Sequence, residues 1–399
     1  MWARRSWSLS AACIFAGTMP LPSVAVADGG IYVTPSVSFG RVYDDNIFAS
    51  PLQKEAVSIW RLSPALETDY ESALLTLDAY YTFDAERYVG HPELNGNDVR
   101  RHAILISHYR PTSLLTLSLT GDYIDTHTPA ELAPTTGLEL GRVPARLFST
   151  TPSMAYRFDP VTTGTAAYTL TRDEELGGLS TDTHTAELGV NRGLGPLDTL
   201  SFNYIQTHYF FDIEGEISSQ VFTVGWAHSA TPQTSFSLAA GPRRTEGSMT
   251  PELAASIRHV VEGGEWSLMY ARSQTAVVGQ VGIVNTRAIT ADAIYSPTES
   301  WQFRAEPSYV SDTRDAQHAD VYRLYLEMRY RFNLSVELVS SYQHSLQRGI
   351  LGLGGPTDQE INDNIIYLGL TFSWRLSRDA AGGVPPPSPL ETFWPTPVH

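Results

Sequence analysis

The chain has 399 residues, 42% of them hydrophobic and 11% aromatic, with 43 acidic side chains against 27 lysines and arginines and a formal net charge of −16. Such acidity argues against a nucleic-acid partner, which would need a basic surface. Beyond the leader no stretch approaches the roughly 18 unbroken apolar residues of a helical membrane span, so helical spans are excluded on length.

Residues 1–27 read as a secretory signal. Arg4 and Arg5 supply the positive start, Leu9 to Met19 is a short apolar stretch, and Ala25-Val26-Ala27 is an A-x-A cleavage site before Asp28. Ser10-Ala11-Ala12-Cys13 makes a poor lipobox, because Ser10 stands where an aliphatic residue is wanted. Cleavage would remove two arginines, leaving a still more acidic mature chain. It would also remove Cys13, the only cysteine, and with it any disulfide, thiol nucleophile or thiolate metal site.

From residue 28 onward the repeated unit is a strand of roughly ten residues with strict alternation. Ile31, Val33, Pro35, Val37 and Phe39 alternate with Tyr32, Thr34, Ser36, Ser38 and Gly40. Leu75, Leu77, Ala79, Tyr81 and Phe83 then alternate with Thr76, Asp78, Tyr80, Thr82 and Asp84. The pattern returns in Leu115 to Tyr123 and in Tyr322 to Arg331. Charged groups share the polar face with hydroxyls. A soluble sandwich would turn the apolar face inward, whereas a membrane barrel turns it toward lipid and the charged face toward a watery lumen.

The connections favour the barrel. Short turns at Glu71-Ser72, Pro111 to Ser113, Asp159-Pro160, Leu194 to Asp198, Ser229 to Gln233, Gly263-Gly264, Pro297 to Ser300 and Phe332 to Ser335 alternate with longer segments. The longer ones are Val42 to Lys54, Val89 to Asp98, Ile124 to Pro144, Asp173 to Ser180, Asp212 to Glu216, Thr245 to Ser248, Val277 to Val284, Asp312 to His318 and Gln347 to Asn362. That is an up-and-down antiparallel transmembrane β-barrel of about 18 strands, with roughly 16 as the nearest other count, since Arg100 to Arg110 and Pro251 to Glu262 alternate poorly. Trp60, Tyr88, Tyr109, Phe210, Trp226, Trp266, Trp301, Tyr309 and Trp374 stand at segment ends, as interface girdles require.

The barrel should occupy residues 28–376. Its last strand, Tyr367 to Trp374, has the polar-x-Gly-x-x-aromatic-x-aromatic pattern read by barrel-assembly machinery, with Tyr367, Gly369, Phe372 and Trp374 as the signal. Residues 377–399 form a Pro-rich tail, expected in the periplasm, with Phe393-Trp394 as a docking peptide in the sharper reading.

Thr34-Pro35-Ser36-Val37, leading into Tyr43-Asp44-Asp45-Asn46-Ile47, and Leu62-Ser63-Pro64-Ala65-Leu66 further on, resemble the outer-membrane β-barrel porins often encoded beside exopolysaccharide-synthesis genes in Gram-negative bacteria. The resemblance implies a porin of the cell outer membrane, a suspected part in polysaccharide export, and no catalytic residues.

Enzyme chemistry finds no motif. His102, His108, His184, His208 and His228 are scattered, and there is no H-E-x-x-H, P-loop or dinucleotide fingerprint. Asp44, Asp45 and Asn46, and Asp358, Glu360, Asn362 and Asp363, lack EF-hand spacing and read as solvated acidic loops. No enzyme, cofactor or metal is therefore expected. The first reading is a channel for small solutes or an exported exopolysaccharide. A plugged structural or adhesive barrel is the alternative, and a barrel hydrolase the third class. Expected partners are outer-membrane lipid and lipopolysaccharide, the assembly machinery and a polysaccharide export system.

Alternation puts Arg304, Glu306, Arg323, Glu327, Arg329 and Arg331 on the lumen face, and Arg157 and Arg258 by the same count. The expected pairs are Glu306 with Arg323 and Glu327 with Arg304, leaving Arg329 and Arg331 unmatched as a guide for an anionic polymer. The longest outer segment, Ile124 to Pro144, contains Leu132, Leu138 and Leu140, and is expected to fold over or into the lumen rather than stay in water. Epitope tags on whole cells test the polarity. A tag in Val42 to Lys54 should label directly, and one after Ser377 only after permeabilisation; direct labelling of the tail would reverse the topology.

Overall fold

The computed structural model describes residues 30–378 except 133, 134, 140, 214, 316, 350, 352–358 and 375. The expected leader, Leu140, Asp358 and the tail from residue 379 lie outside the described residues.

Eighteen strands follow one another: β1 (Gly30–Asp44), β2 (Val57–Glu71), β3 (Leu75–Tyr88), β4 (Gly96–Tyr109), β5 (Leu115–Thr126), β6 (Ala145–Asp159), β7 (Thr162–Glu175), β8 (Ser180–Gly193) and β9 (Asp198–Phe211) form the first half. The second half is β10 (Gly215–Ser229), β11 (Thr234–Thr245), β12 (Ser248–Val261), β13 (Gly264–Ala276), β14 (Ile283–Thr298), β15 (Trp301–Arg314), β16 (Gln317–Asn333), β17 (Val336–Arg348) and β18 (Glu360–Ser373). Each pairs antiparallel with its chain neighbours, and β1 pairs with β18 from Ser36↔Ser373 to Asp44↔Ile365, which closes the barrel. A three-residue strand, β19 (Leu376–Arg378), continues the seam on Ile31 to Val33. Regular pairing therefore runs two residues beyond the expected boundary at 376.

Alternation settles which face is which. Phe39, Leu62, Leu66, Tyr81, Leu117, Met154, Leu188, Phe222, Leu268, Ile289, Leu326, Leu368 and Phe372 are all exposed on the outer surface. Their strand neighbours are the hydroxyl and charged groups, which point inward. β4 and β12 alternate poorly in sequence because residues with apolar side chains also face the lumen there, Ile104 and Ile106 on β4 and Ala254 and Val260 on β12.

Two expectations change. Tyr88 is not a girdle residue: it ends β3 on the inward face, 5% exposed, and bonds Glu86. Several expected outer loops are tight turns, because β11 runs to Thr245 before β12 starts at Ser248, and β15 runs to Arg314 before β16 starts at Gln317. Segments 45–56, 89–95, 277–282 and the described residues of 127–144 remain as true loops at that end. Strands of up to 17 residues exceed the roughly 9–11 needed to span a bilayer, so the wall stands above the membrane on the loop side.

The assembly-signal residues sit at the seam. Gly40 and Gly369 are directly paired, and the Tyr367 ring lies over both, with its Cε2 2.5 Å from where a Gly40 Cβ would stand. An aromatic ring covering a glycine pair restores packing that the glycines forgo. Phe372 and Trp374 instead face lipid. Gly40→Val should displace the ring and destabilise the seam, and Tyr367→Ala should cost on the order of 1 kcal/mol. Both should lower the temperature at which the folded, fast-migrating gel band is lost; an unchanged transition would remove this role for the ring.

Candidate functional site: the lumen and its outer constriction

Loop 127–144 does enter the lumen. It leaves β5 through a short 3-10 turn (Pro129–Leu132), and Leu132 packs with Ile124, Ala145 and Val278 in one buried cluster. Leu138, 1% exposed, then seats among Val277, Val284, Val310, Ala319, Val321 and Leu351. Val284, Val310 and Val321 are inward-facing residues of β14, β15 and β16, far around the ring from β5 and β6. The loop therefore crosses the mouth, and loop 277–282 comes from the other wall to meet it.

Polar contacts fix the crossing. The Glu139 amide donates to Gln347 Oε1 at 2.7 Å, and Ser345 Oγ donates to Glu139 Oε1 at 2.8 Å. Arg323 donates to the Gly137 carbonyl at 3.0 Å and lies 3.5 Å from Glu139. Gly137 and Gly141 have φ of 63° and 79°, left-handed values that suit glycine and let the chain dip and return. Arg142 bonds the Tyr88 hydroxyl and stacks 5.0 Å from its ring centre, while Arg100 holds Glu131 at 2.7 Å. On the rim, His91 bridges Glu93 and Glu55; hydrogen bonding to Glu93, with the charge of Glu55 adding, raises its pKa above the ordinary imidazole value.

Between this loop and the wall of β1 to β4 and β16 to β18 lies a polar cavity of about 210 Å³. Arg61, Arg100, Arg142 and Arg323 line it together with Asp44, Glu86, Glu131, Glu139 and Asp363. Charges of both signs across one narrow opening would orient a passing dipole and admit ions only after partial dehydration. Sequence reasoning missed most of this set. Arg61, Glu86 and Arg100 stand on the consecutive strands β2 to β4, with Arg61 opposite Glu86, but the crossing loop brings Glu131, Glu139 and Arg142 to them and the barrel closure brings Arg323 and Asp363.

All eight expected pore-lining residues, Arg157, Arg258, Arg304, Glu306, Arg323, Glu327, Arg329 and Arg331, fall on the inward parity of their strands. Their pairing differs from expectation. Arg304 sits between Asp292, at 3.1 Å, and Glu306 on its own strand. Glu327 takes Arg329 at 2.7 Å, and Arg329 also approaches Glu337 at 3.8 Å. Arg323 turns to the crossing loop, and Arg331 stands opposite Glu337. Arg329 and Arg331 are thus not left over, because residues two apart on one strand share a face and carboxylates of neighbouring strands lie closer than the expected partners. Arg258 pairs with Glu265, and Arg157 is exposed near the short-turn end. Elsewhere on the wall, Glu71, Asp78, Asp122, Asp173 and Glu187 point inward, so lumen carboxylates outnumber lumen arginines.

A closed barrel with an apolar outside and a charged inside crosses a membrane with strands. The chain is a membrane-spanning β-barrel. No family model matches its sequence, and no curated protein matches it. Among solved structures it is similar to OccAB4 of Acinetobacter baumannii, at 9% identity and TM-score 0.49 over 88% of this chain and 99% of that one. It is also similar to OpdK of Pseudomonas aeruginosa, at 12% identity and TM-score 0.48 over 88% and 99% of the two chains. A loop L8 deletion mutant of OmpT of Vibrio cholerae gives 13% identity and TM-score 0.41 over 87% and 100%. At these values the likeness carries nothing about solute, and the strand count stands on the hydrogen-bonded ladder itself.

Leu138→Ala should unseat the loop, since emptying a buried leucine site costs about 2–5 kcal/mol. Limited proteolysis of the folded barrel should then cut within 127–144 faster than in the parent, with the strand ladder intact by circular dichroism. An equal cleavage rate would mean that the loop is held without this seat.

Proposed function

We propose that the protein is a narrow diffusion channel for small hydrophilic solutes, with a preference for cations. The observation that carries this reading is the polar cavity beside the crossing loop, lined by charges of both signs. The excess of inward carboxylates sets the sign of the preference, because a charged wall in a narrow lumen raises the local concentration of the opposite ion. Barrels of about 18 strands enclose room for an aqueous lumen unless loops fill it.

Guidance of an acidic polymer has less support. The arginines that would guide it are engaged by Glu306, Glu327, Glu337 and Asp292. A chain of sugars would also have to displace the seam around Leu138. That seam favours a second reading, a plugged barrel with a structural role, in which the cavity is a pocket and not a passage.

Bilayer recordings of the purified protein separate the two. A channel should give small conductance steps, and shortening residues 135–141 should raise them severalfold. Asp44→Asn with Asp363→Asn should move the reversal potential in a salt gradient toward zero. Silence from both the parent and the shortened protein would leave the plugged reading.

A further inference from the structure

On the outer face, β13 and β14 place Arg272 directly opposite Arg287. Both lie on the parity of Leu268 and Ile289, which are 44% exposed toward lipid. Directly opposed side chains on a sheet come within about 5 Å at Cβ, and like charges there are destabilising. Four other outer-rim arginines reach a carboxylate: Arg101 bonds Asp98, Arg146 lies 3.1 Å from Asp125, Arg172 3.4 Å from Asp182 and Arg348 3.3 Å from Glu360, while Arg41 stacks 5.4 Å from the centre of the Trp60 ring. Among the described residues Arg272 and Arg287 have no such partner. The neighbour of Arg272 on β12 is Leu253, and that of Arg287 on β15 is Ser311. Asp320, one strand further on, is held by the Tyr309 hydroxyl at 2.8 Å and by His318 at 3.0 Å.

Height along the wall says what could meet this pair. From Tyr295, at the short-turn side, to Arg287 the strand climbs roughly 20 Å for a rise near 3.3 Å per residue and a barrel tilt near 40°. The apolar band of such barrels is about 25 Å tall. Arg272 and Arg287 therefore stand where outer-leaflet hydrocarbon gives way to headgroups, just above Tyr270, Ile289 and Tyr309. We propose that they form a binding site for a phosphate of a phosphorylated glycolipid in the outer leaflet. One tetrahedral dianion between two guanidinium forks accepts charge-assisted hydrogen bonds from both and relieves their repulsion. The site depends on the barrel's place in the membrane and not on whether its lumen conducts.

The test uses full-length protein in detergent, titrated with diphosphorylated lipid A, with the same lipid after dephosphorylation, and with inorganic phosphate, and read by native mass spectrometry. The parent should hold the phosphorylated lipid at least tenfold more tightly than the dephosphorylated one, about the effect of losing one charge-assisted contact. Arg272→Ala with Arg287→Ala should remove that difference, while Arg172→Ala with Arg348→Ala, at paired sites, should keep it. Lysine at both positions should restore part of it, which controls for a barrel harmed by alanine. Equal binding of the two lipids by the parent, or an unchanged preference in the double alanine variant, would overturn the site. Equal competition by millimolar inorganic phosphate would show a free-anion site in place of a lipid one.

Discussion

Everything in this molecule depends on closing the backbone hydrogen-bond ladder between its first and last strands. In hydrocarbon an unpaired amide or carbonyl costs several kcal/mol, so an open sheet edge is not tolerated and the sheet must meet itself. Here the meeting is made by β1 and β18, extended by β19, and packed on the inside by Tyr367 over the glycine pair Gly40 and Gly369. Once that seam is closed, alternation does the rest. Every second side chain is committed to lipid and every other to the enclosed lumen.

Closure also creates the site. A ring of strands turns separate sequence segments into facing walls, and the crossing loop uses both. Its apolar anchors are not a core in the soluble sense; they fill the mouth of a tube whose own wall residues there, Val284, Val310 and Val321, are apolar on the inward face. This departure from polar-inside patterning at the loop-side ends of β14 to β16 makes physical sense only with Leu138 in place. The polar cavity is what remains where charged residues of β1 to β4 and β18 meet the other flank of the same loop.

The electrostatics follow a similar logic on the two faces of the wall. Inside, arginines are mostly satisfied by carboxylates one strand away or two residues along, which leaves the lumen negative by surplus acid and not by any single residue. Outside, four rim arginines pair with carboxylates in the same way, whereas the arginines of β13 and β14 face each other directly. Short lateral distances in a sheet make such pairing cheap, so a departure is informative.

The sequence by itself determined the class, a strand number near 18 and the inward and outward faces of the regularly alternating strands, because a period-two pattern repeated through the chain is a local property of each strand; which outer connections are loops and which are tight turns was decided by how far each strand pairs with its neighbour. The sequence also showed that Ile124 to Pro144 carries too many leucines to stay in water. Ion-pair partners were not legible. Arg304 and Glu327 do stand opposite each other in register, yet Arg304 turns to Asp292 and Glu306, a choice made by side-chain reach within one face. Nor was the inward turn of Tyr88 visible, since an aromatic at a strand end fits a girdle as well as a lumen. The constriction was the furthest from view. Leu138 meets Val321, and Glu139 meets Ser345 and Gln347, across gaps of about two hundred residues. No local pattern encodes those meetings; the closed ring brings them about by fixing how far each wall stands from the other.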